Sequence, residues 1–112
     1  DLIVSRHEVD SVTLPEDAAT ALTEATLQAI SNSQQHAGSA ATRELYLKGH
    51  RNGIKVIVKD NGRGFRMSRV PNNRLGVRVS IIERVELIGG RVFIDSRPGA
   101  GTNIVLEWGT HA

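Results

Sequence analysis

The sequence predicts an α+β domain: a two-layer sandwich in which a mixed sheet packs on helices. Three observations carry this. A long stretch of helical periodicity follows a strand-like opening. Two alternating runs flank an Asn-Gly pair. A second, shorter helical run then precedes two final alternating segments. The resulting order, β-α-β-β-loop-α-β-β, puts helices on one face of one sheet. A chain of 112 residues supplies one hydrophobic core and not two, so residues 1–112 are read as a single domain.

Each element has its own signal. Val9, Val12 and Leu14 alternate loosely and suit one or two short strands before Pro15. Leu14-Pro15-Glu16-Asp17 reads as a helix start, with Pro at the first helical position and acids facing the positive end of the dipole. The helix is expected from Pro15 to Ala37 and to stop at Gly38, a residue suited to a left-handed C-terminal cap. Glu44 to Lys48 and Ile54 to Lys59 are expected to pair as a hairpin across Arg51-Asn52-Gly53. Asp60 to Asn73, rich in Gly, Asn and Arg, reads as a loop. A second helix is expected over Val77 to Ile88, ended by Gly89-Gly90. Strands Arg91 to Ser96 and Thr102 to Trp108 then flank the turn Arg97-Pro98-Gly99-Ala100-Gly101.

Composition narrows the function. The net charge is only +2 and the basic residues are interspersed with acids, so there is no nucleic-acid footprint and no polybasic membrane patch. Aromatics at 4% are too few for base-stacking platforms. The absence of Cys removes disulfides, thiolate chemistry and cysteine zinc sites together. Hydrophobic residues at 39% against 23% charged describe a folded globule rather than a disordered tail. No apolar run approaches the roughly 20 residues of a membrane span. The opening Asp1 to Arg6 is neither a signal nor a transit peptide and has no initiator Met. The chain is therefore expected to be a domain of a longer protein.

Four features can carry chemistry. Glu24, Gln28, Asn32 and His36 recur every fourth residue of the long helix and form one stripe. Because four residues turn a helix about 400°, that stripe drifts about 40° per step. It moves from water at Glu24 toward the core edge at Asn32 and His36, beside a core-facing row of Leu22, Ala25, Ala29 and Ser33. Asp60-Asn61-Gly62-Arg63-Gly64-Phe65 follows a strand of buried type. Its two glycines permit a sharp turn and close backbone approach, and its carboxylate can accept a hydrogen bond from an exocyclic amine. Arg74-Leu75-Gly76-Val77-Arg78 opens the second helix, where free N–H groups and the dipole attract phosphate. Gly101-Thr102 opens the last strand. Taken singly, each has an ordinary reading as a solvated helix face, a turn, a loop glycine or a hairpin.

Taken in order they are specific. Asn32…His36, then Asp60-x-Gly62-x-Gly64, then Leu75-Gly76, then Gly101-Thr102 resembles the ATP-binding catalytic domain of sensor histidine kinases. That family belongs to the superfamily of gyrase, Hsp90 and the mismatch-repair ATPases. The resemblance runs from about Pro15 to Trp108; Ser31 to Ala37 looks like its asparagine box and Asp60 to Phe65 like its first glycine box. The spacing and the ending Ile82-Glu83-Arg84-Val85…Gly89-Gly90 are similar to the nitrate-sensor type.

The resemblance implies a Bergerat-type fold that binds ATP and Mg²⁺. Asp60 would accept the adenine amino group, supported by Gly101-Thr102, while Gly62 and Gly64 shape the pocket wall. Asn32 would be the metal ligand and, with His36 and Gln28, part of the catalytic group. Leu75, Gly76, Val77 and Arg78 would hold the phosphates. Residues from about Phe65 to Leu75 would form the lid, with Arg66, Arg69 and Arg74 in reach of phosphate. Gln28 stands where nitrate-sensor-type kinases usually have Glu, and the second glycine box keeps a single Gly. His7-Glu8 falls too close to the asparagine box to lie on a separate helical hairpin, so the phosphoacceptor His is expected upstream. The implied partners are the protein's own dimerisation and phosphoacceptor domain and a response regulator, with no nucleic acid. The fragment is expected to be monomeric and cytoplasmic, the full-length protein dimeric and membrane-anchored. An anti-sigma-factor-type serine kinase and a degenerate nucleotide-binding or docking module are the alternatives.

Overall fold

A computed structural model describes residues 2–9, 13–38, 40–50, 53–64 and 80–109. The elements follow the expected order: β1 (Leu2–Val9), α1 (Glu16–His36), β2 (Arg43–His50), β3 (Gly53–Asp60), a helical segment α2 over 80–86, β4 (Arg91–Ser96) and β5 (Thr102–Gly109). The sheet runs β1-β2-β3-β5-β4. β1 lies parallel to β2 and every other pair is antiparallel, which makes the sheet mixed. Before Pro15 the described residues form one strand, β1. Pro15 is the N-cap of α1, with extended ψ of 148°, one position earlier than expected. Glu16 and Asp17 occupy the first turn, and Gly38 leaves the helix at φ 105°. His50 pairs with Gly53, so β2 and β3 form the expected hairpin; residues 51–52 lie outside the described residues. So do 65–79, which hold most of the expected loop and the start of the second helix.

The core lies between α1 and the two central strands. Leu22, Ala25 and Ala29 of α1 meet Val56 and Val58 of β3 and Ile104 and Leu106 of β5. Ile81 and Val85 of α2 close the cluster beside them. Small residues at positions 25 and 29, both fully buried, let the helix lie close on the sheet. Gly90 N–H donates to the Val85 carbonyl, and Trp108 Nε1–H to the Ile88 carbonyl at 2.8 Å, tying the end of α2 to β5. Leu106 is 0% exposed at the centre of this packing. Leu106→Ala is therefore expected to destabilise the fold by about 2–5 kcal/mol, read as a lowered denaturant midpoint at unchanged slope.

Candidate functional site

The site forms where the C-terminal half of α1 crosses the ends of β3 and β5. Alternation along β3 puts Ile54, Val56 and Val58 toward the helix, and Asp60 inherits the same face as the strand ends. Asp60 is 7% exposed, and both of its carboxylate oxygens accept hydrogen bonds. Oδ2 accepts from Ser33 Oγ–H at 2.8 Å, and Oδ1 accepts from the backbone N–H of Gly62 at 3.0 Å and of Thr102 at 3.2 Å. One side chain thereby joins the helix, the glycine turn and the final strand. Oδ2 keeps a further acceptor direction for a ligand donor.

The glycines make this convergence possible. Gly62 passes so close to Ala37 that a Cβ would collide with the carbonyl oxygen there. Gly64 (φ 60°) and Gly101 (φ 79°) adopt left-handed backbone, packed against Arg97 and Asp60 backbone atoms respectively. The turn is held on both sides: Arg63 N–H donates to the Ala37 carbonyl at 3.0 Å, and Gly99 N–H to the Arg63 carbonyl at 2.7 Å. Asn61 Oδ1 accepts from Thr42 N–H at 2.8 Å, anchoring the turn to the start of β2.

A cleft lies beside Asp60, with about 320 Å³ of empty volume and walls of Ala29, Asn32, Ser33, His36, Ala37, Val58, Asp60, Gly64, Thr102 and Ile104. The floor is apolar and Asp60 is the carboxylate at its edge, which suits a flat heterocycle bearing an amine. Along α1 the expected drift is seen: Glu24 is exposed and ion-paired to Arg84 at 2.8 Å, whereas Gln28, Asn32 and His36 are half-buried. Gln28 Oε1 and Asn32 Oδ1 are both buried and, among the described residues, without hydrogen-bond partners. Two unpaired amide oxygens one helical turn apart are hard oxygen donors of the kind magnesium takes. No group of three or more His, Cys, Asp or Glu that could hold a metal occurs among the described residues. A metal here would need phosphate oxygens and water to complete its shell.

The structure thus brings together Asn32, His36, Asp60, Gly64 and Thr102 around one cleft, with Gln28 one helical turn from Asn32 and Gly62 and Gly101 in the supporting turns. Leu75, Gly76, Val77 and Arg78, the lid and its arginines lie outside the described residues. Ser33 and Ser96 are additions. Ser33 stands in the core-facing row, and a hydroxyl there requires a partner; that polar break was the signal available in the sequence. Ser96 Oγ donates to the Gly101 carbonyl at 3.1 Å and lies 2.8 Å from Thr102 Oγ1. The Thr102 hydroxyl is therefore engaged with β4, and its contribution to Asp60 comes from its backbone N–H.

Residues 17–111 match the histidine kinase-, DNA gyrase B- and HSP90-like ATPase family. Among curated proteins, the chain is 29% identical over 93 residues to the signal transduction histidine-protein kinase/phosphatase DegS of Brevibacillus brevis, covering 83% of this chain and 24% of that protein. It is 31% identical over 102 residues to the sensor protein VraS of Staphylococcus aureus, covering 90% of this chain and 28% of that one. The chain spans about a quarter of the length of these relatives. Among solved structures, the histidine kinase domain of the blue-light activated histidine kinase of Erythrobacter litoralis EL346 superposes with a TM-score of 0.73 at 23% identity, covering 95% of this chain and 53% of that one. The mycobacterial sensor histidine kinase MprB superposes at 0.70 with 15% identity, covering 97% of this chain and 80% of that one. At those identities the superpositions establish the fold.

Proposed function

The chain belongs to the histidine kinase-, DNA gyrase B- and HSP90-like ATPase family, and we propose that it binds Mg-ATP in the cleft beside Asp60 for transfer of the γ-phosphate to a His on another domain. Domains of this kind are the ATP-binding catalytic parts of sensor histidine kinases. The observation that carries the reading is the Asp60 carboxylate. It is buried and oriented by three donors from three elements, at the edge of an apolar cleft. The adenine 6-amino group is the ligand donor that matches its remaining acceptor direction.

In this reading Ser33 and the Gly62 and Thr102 N–H groups fix the carboxylate before the ligand arrives. Ala29, Val58 and Ile104 exclude water from the ring. Asn32 Oδ1 would hold the metal, and the Gln28 Oε1 amide oxygen beside it would orient the metal's shell. A neutral amide does not take up a proton near neutral pH, so Gln28 would orient and not act as a base. When bound, Mg²⁺ supplies charge neutralisation of the phosphates and a template for in-line displacement. Leu75, Gly76, Val77 and Arg78 are proposed as the phosphate-binding segment. The longer protein would contribute a dimerisation and phosphoacceptor domain and a membrane anchor, and would serve a response regulator. No helix among the described residues is itself long and apolar enough to cross a membrane.

The buried amide oxygens of Gln28 and Asn32, without partners among the described residues, are donors that favour a working metal seat over a degenerate docking module. Asn32→Ala tests this. ATP alone is expected to bind as it does to the parent chain, while the gain in affinity on adding Mg²⁺ is lost, a change of about tenfold or more in calorimetry. An unchanged magnesium effect would remove Asn32 from the metal site.

A further inference from the structure

The face of the sheet turned away from the helices carries a pattern that the nucleotide site does not use. The described strands place Tyr46, Ile57, Val105 and Phe93 directly opposite one another on β2, β3, β5 and β4. Each is offset by one residue from the neighbours that face the core. They form one continuous apolar row across four of the five strands, with Ser5 of β1 opposite Tyr46 at its end. Phe93 is 51% exposed. The chain has only one Trp, one Tyr and two Phe, so two of its four aromatic residues stand in this row.

Charges flank the row on both sides. Toward one end of the strands the register gives Lys48, Lys55, Glu107 and Arg91, with Glu107 paired to Lys55 at 3.3 Å and to Arg91 at 4.0 Å. Toward the other end it gives Glu44, Lys59, Asn103 and Asp95. The outer two of the four columns therefore read the same way: Glu44-Tyr46-Lys48 on β2 and Asp95-Phe93-Arg91 on β4, each anion, aromatic, cation.

We infer that this face pairs with the same face of a second copy of the chain, about a two-fold axis lying along the apolar row. Such an axis sets aromatic row on aromatic row and turns the cationic end of one copy over the anionic end of the other. Asp95 then faces Arg91 of the second copy, and Glu44 faces Lys48 of the second copy, each pair occurring twice. In the two inner columns Lys59 faces Lys55 of the second copy, whose charge is offset by its own pair with Glu107, and Asn103 faces Glu107; neither adds an ion pair. An axis along the strands would instead set cation on cation. The charge pattern thus selects one isologous arrangement, with strands running in opposite directions as in aligned sheet packing. Four strands and three rows give a contact on the order of 1,000 Å² in total, at the low end of specific interfaces. The association is accordingly weak: the chain is a monomer at low micromolar concentration and pairs as concentration rises. The nucleotide clefts lie on the helix side and remain open.

Sedimentation equilibrium of the full 112-residue chain without nucleotide, from about 10 µM to 1 mM, tests this separately from ATP binding. The expected result is a reversible monomer–dimer equilibrium, weakened at least tenfold by Phe93→Asp. Asp95→Arg and Arg91→Asp should each weaken it about fivefold or more, and the double exchange should recover most of that loss, short of the parent by the Arg91–Glu107 pair removed within each chain. A chain monomeric throughout, an equilibrium indifferent to Phe93→Asp, or a double exchange as weak as its single variants would each overturn the proposal.

Discussion

Asp60→Asn is expected to reduce ATP affinity by about a hundredfold or more, while lowering the stability of the chain by only about 1 kcal/mol. The asymmetry follows from the hydrogen bonds. Oδ1 accepts two backbone N–H groups, from Gly62 and Thr102. An amide in this position keeps its oxygen there and turns its NH2 toward Ser33. The Ser33 hydroxyl, which donates to Oδ2 in the parent chain, can rotate to accept instead, so the fold loses little. The ligand loses its acceptor: an NH2 group now points at the adenine amine, donor against donor, in a site that excludes water. Calorimetry should show no ATP binding in the range where the parent saturates, and thermal unfolding should show a small shift. A variant that binds ATP as the parent does would remove Asp60 from the recognition of the base.

Gly101→Ala is expected to destabilise the fold by about 3 kcal/mol or more, whereas Gly99→Ala, two residues earlier in the same turn, costs about 1–2. Both glycines are left-handed, at φ 79° and 78°, so both variants bear the strain of placing a Cβ in that conformation. Their surroundings differ. A Cβ at Gly99 meets nothing within 4 Å, while one at Gly101 collides with the Asp60 carbonyl oxygen and reaches Asn61 Cα at 3.1 Å. Relieving that collision moves the β4–β5 turn away from β3, which breaks the Thr102 N–H bond to Asp60. Gly101→Ala therefore loses nucleotide binding along with stability, and Gly99→Ala retains it. Chemical denaturation of the two variants, paired with an ATP titration of each, separates strain from collision.

Much of this was legible in the residues because the relevant signals are local. The fourfold spacing of Glu24, Gln28, Asn32 and His36 fixes their common helix face, and their graded burial follows from helical geometry alone. The position of Asp60 at the end of an alternating strand fixes the side to which it points. The bonding partners of those residues were less legible. Ser33 reads as one more small residue in a core-facing row until the sheet places Asp60 across from it, a contact between residues 27 apart in sequence. Thr102 is legible as a site residue, but its hydroxyl is bound to Ser96, a pairing set by the register of β4 against β5. The transverse row of Tyr46, Ile57, Val105 and Phe93 is likewise a property of register. Each strand alternates visibly by itself, but which side chains stand opposite one another emerges only when the strands are paired.

The most direct test is a pair of calorimetric titrations of the parent chain in magnesium, one with ATP and one with GTP. Adenine offers Asp60 an exocyclic N–H donor where guanine presents a carbonyl acceptor, and a carboxylate oxygen set against an acceptor with no donor between them is disfavoured. Saturable ATP binding with GTP weaker by about a hundredfold or more is the predicted result. Equal binding of the two nucleotides, or no heat with millimolar ATP, would contradict adenine recognition by the Asp60 carboxylate.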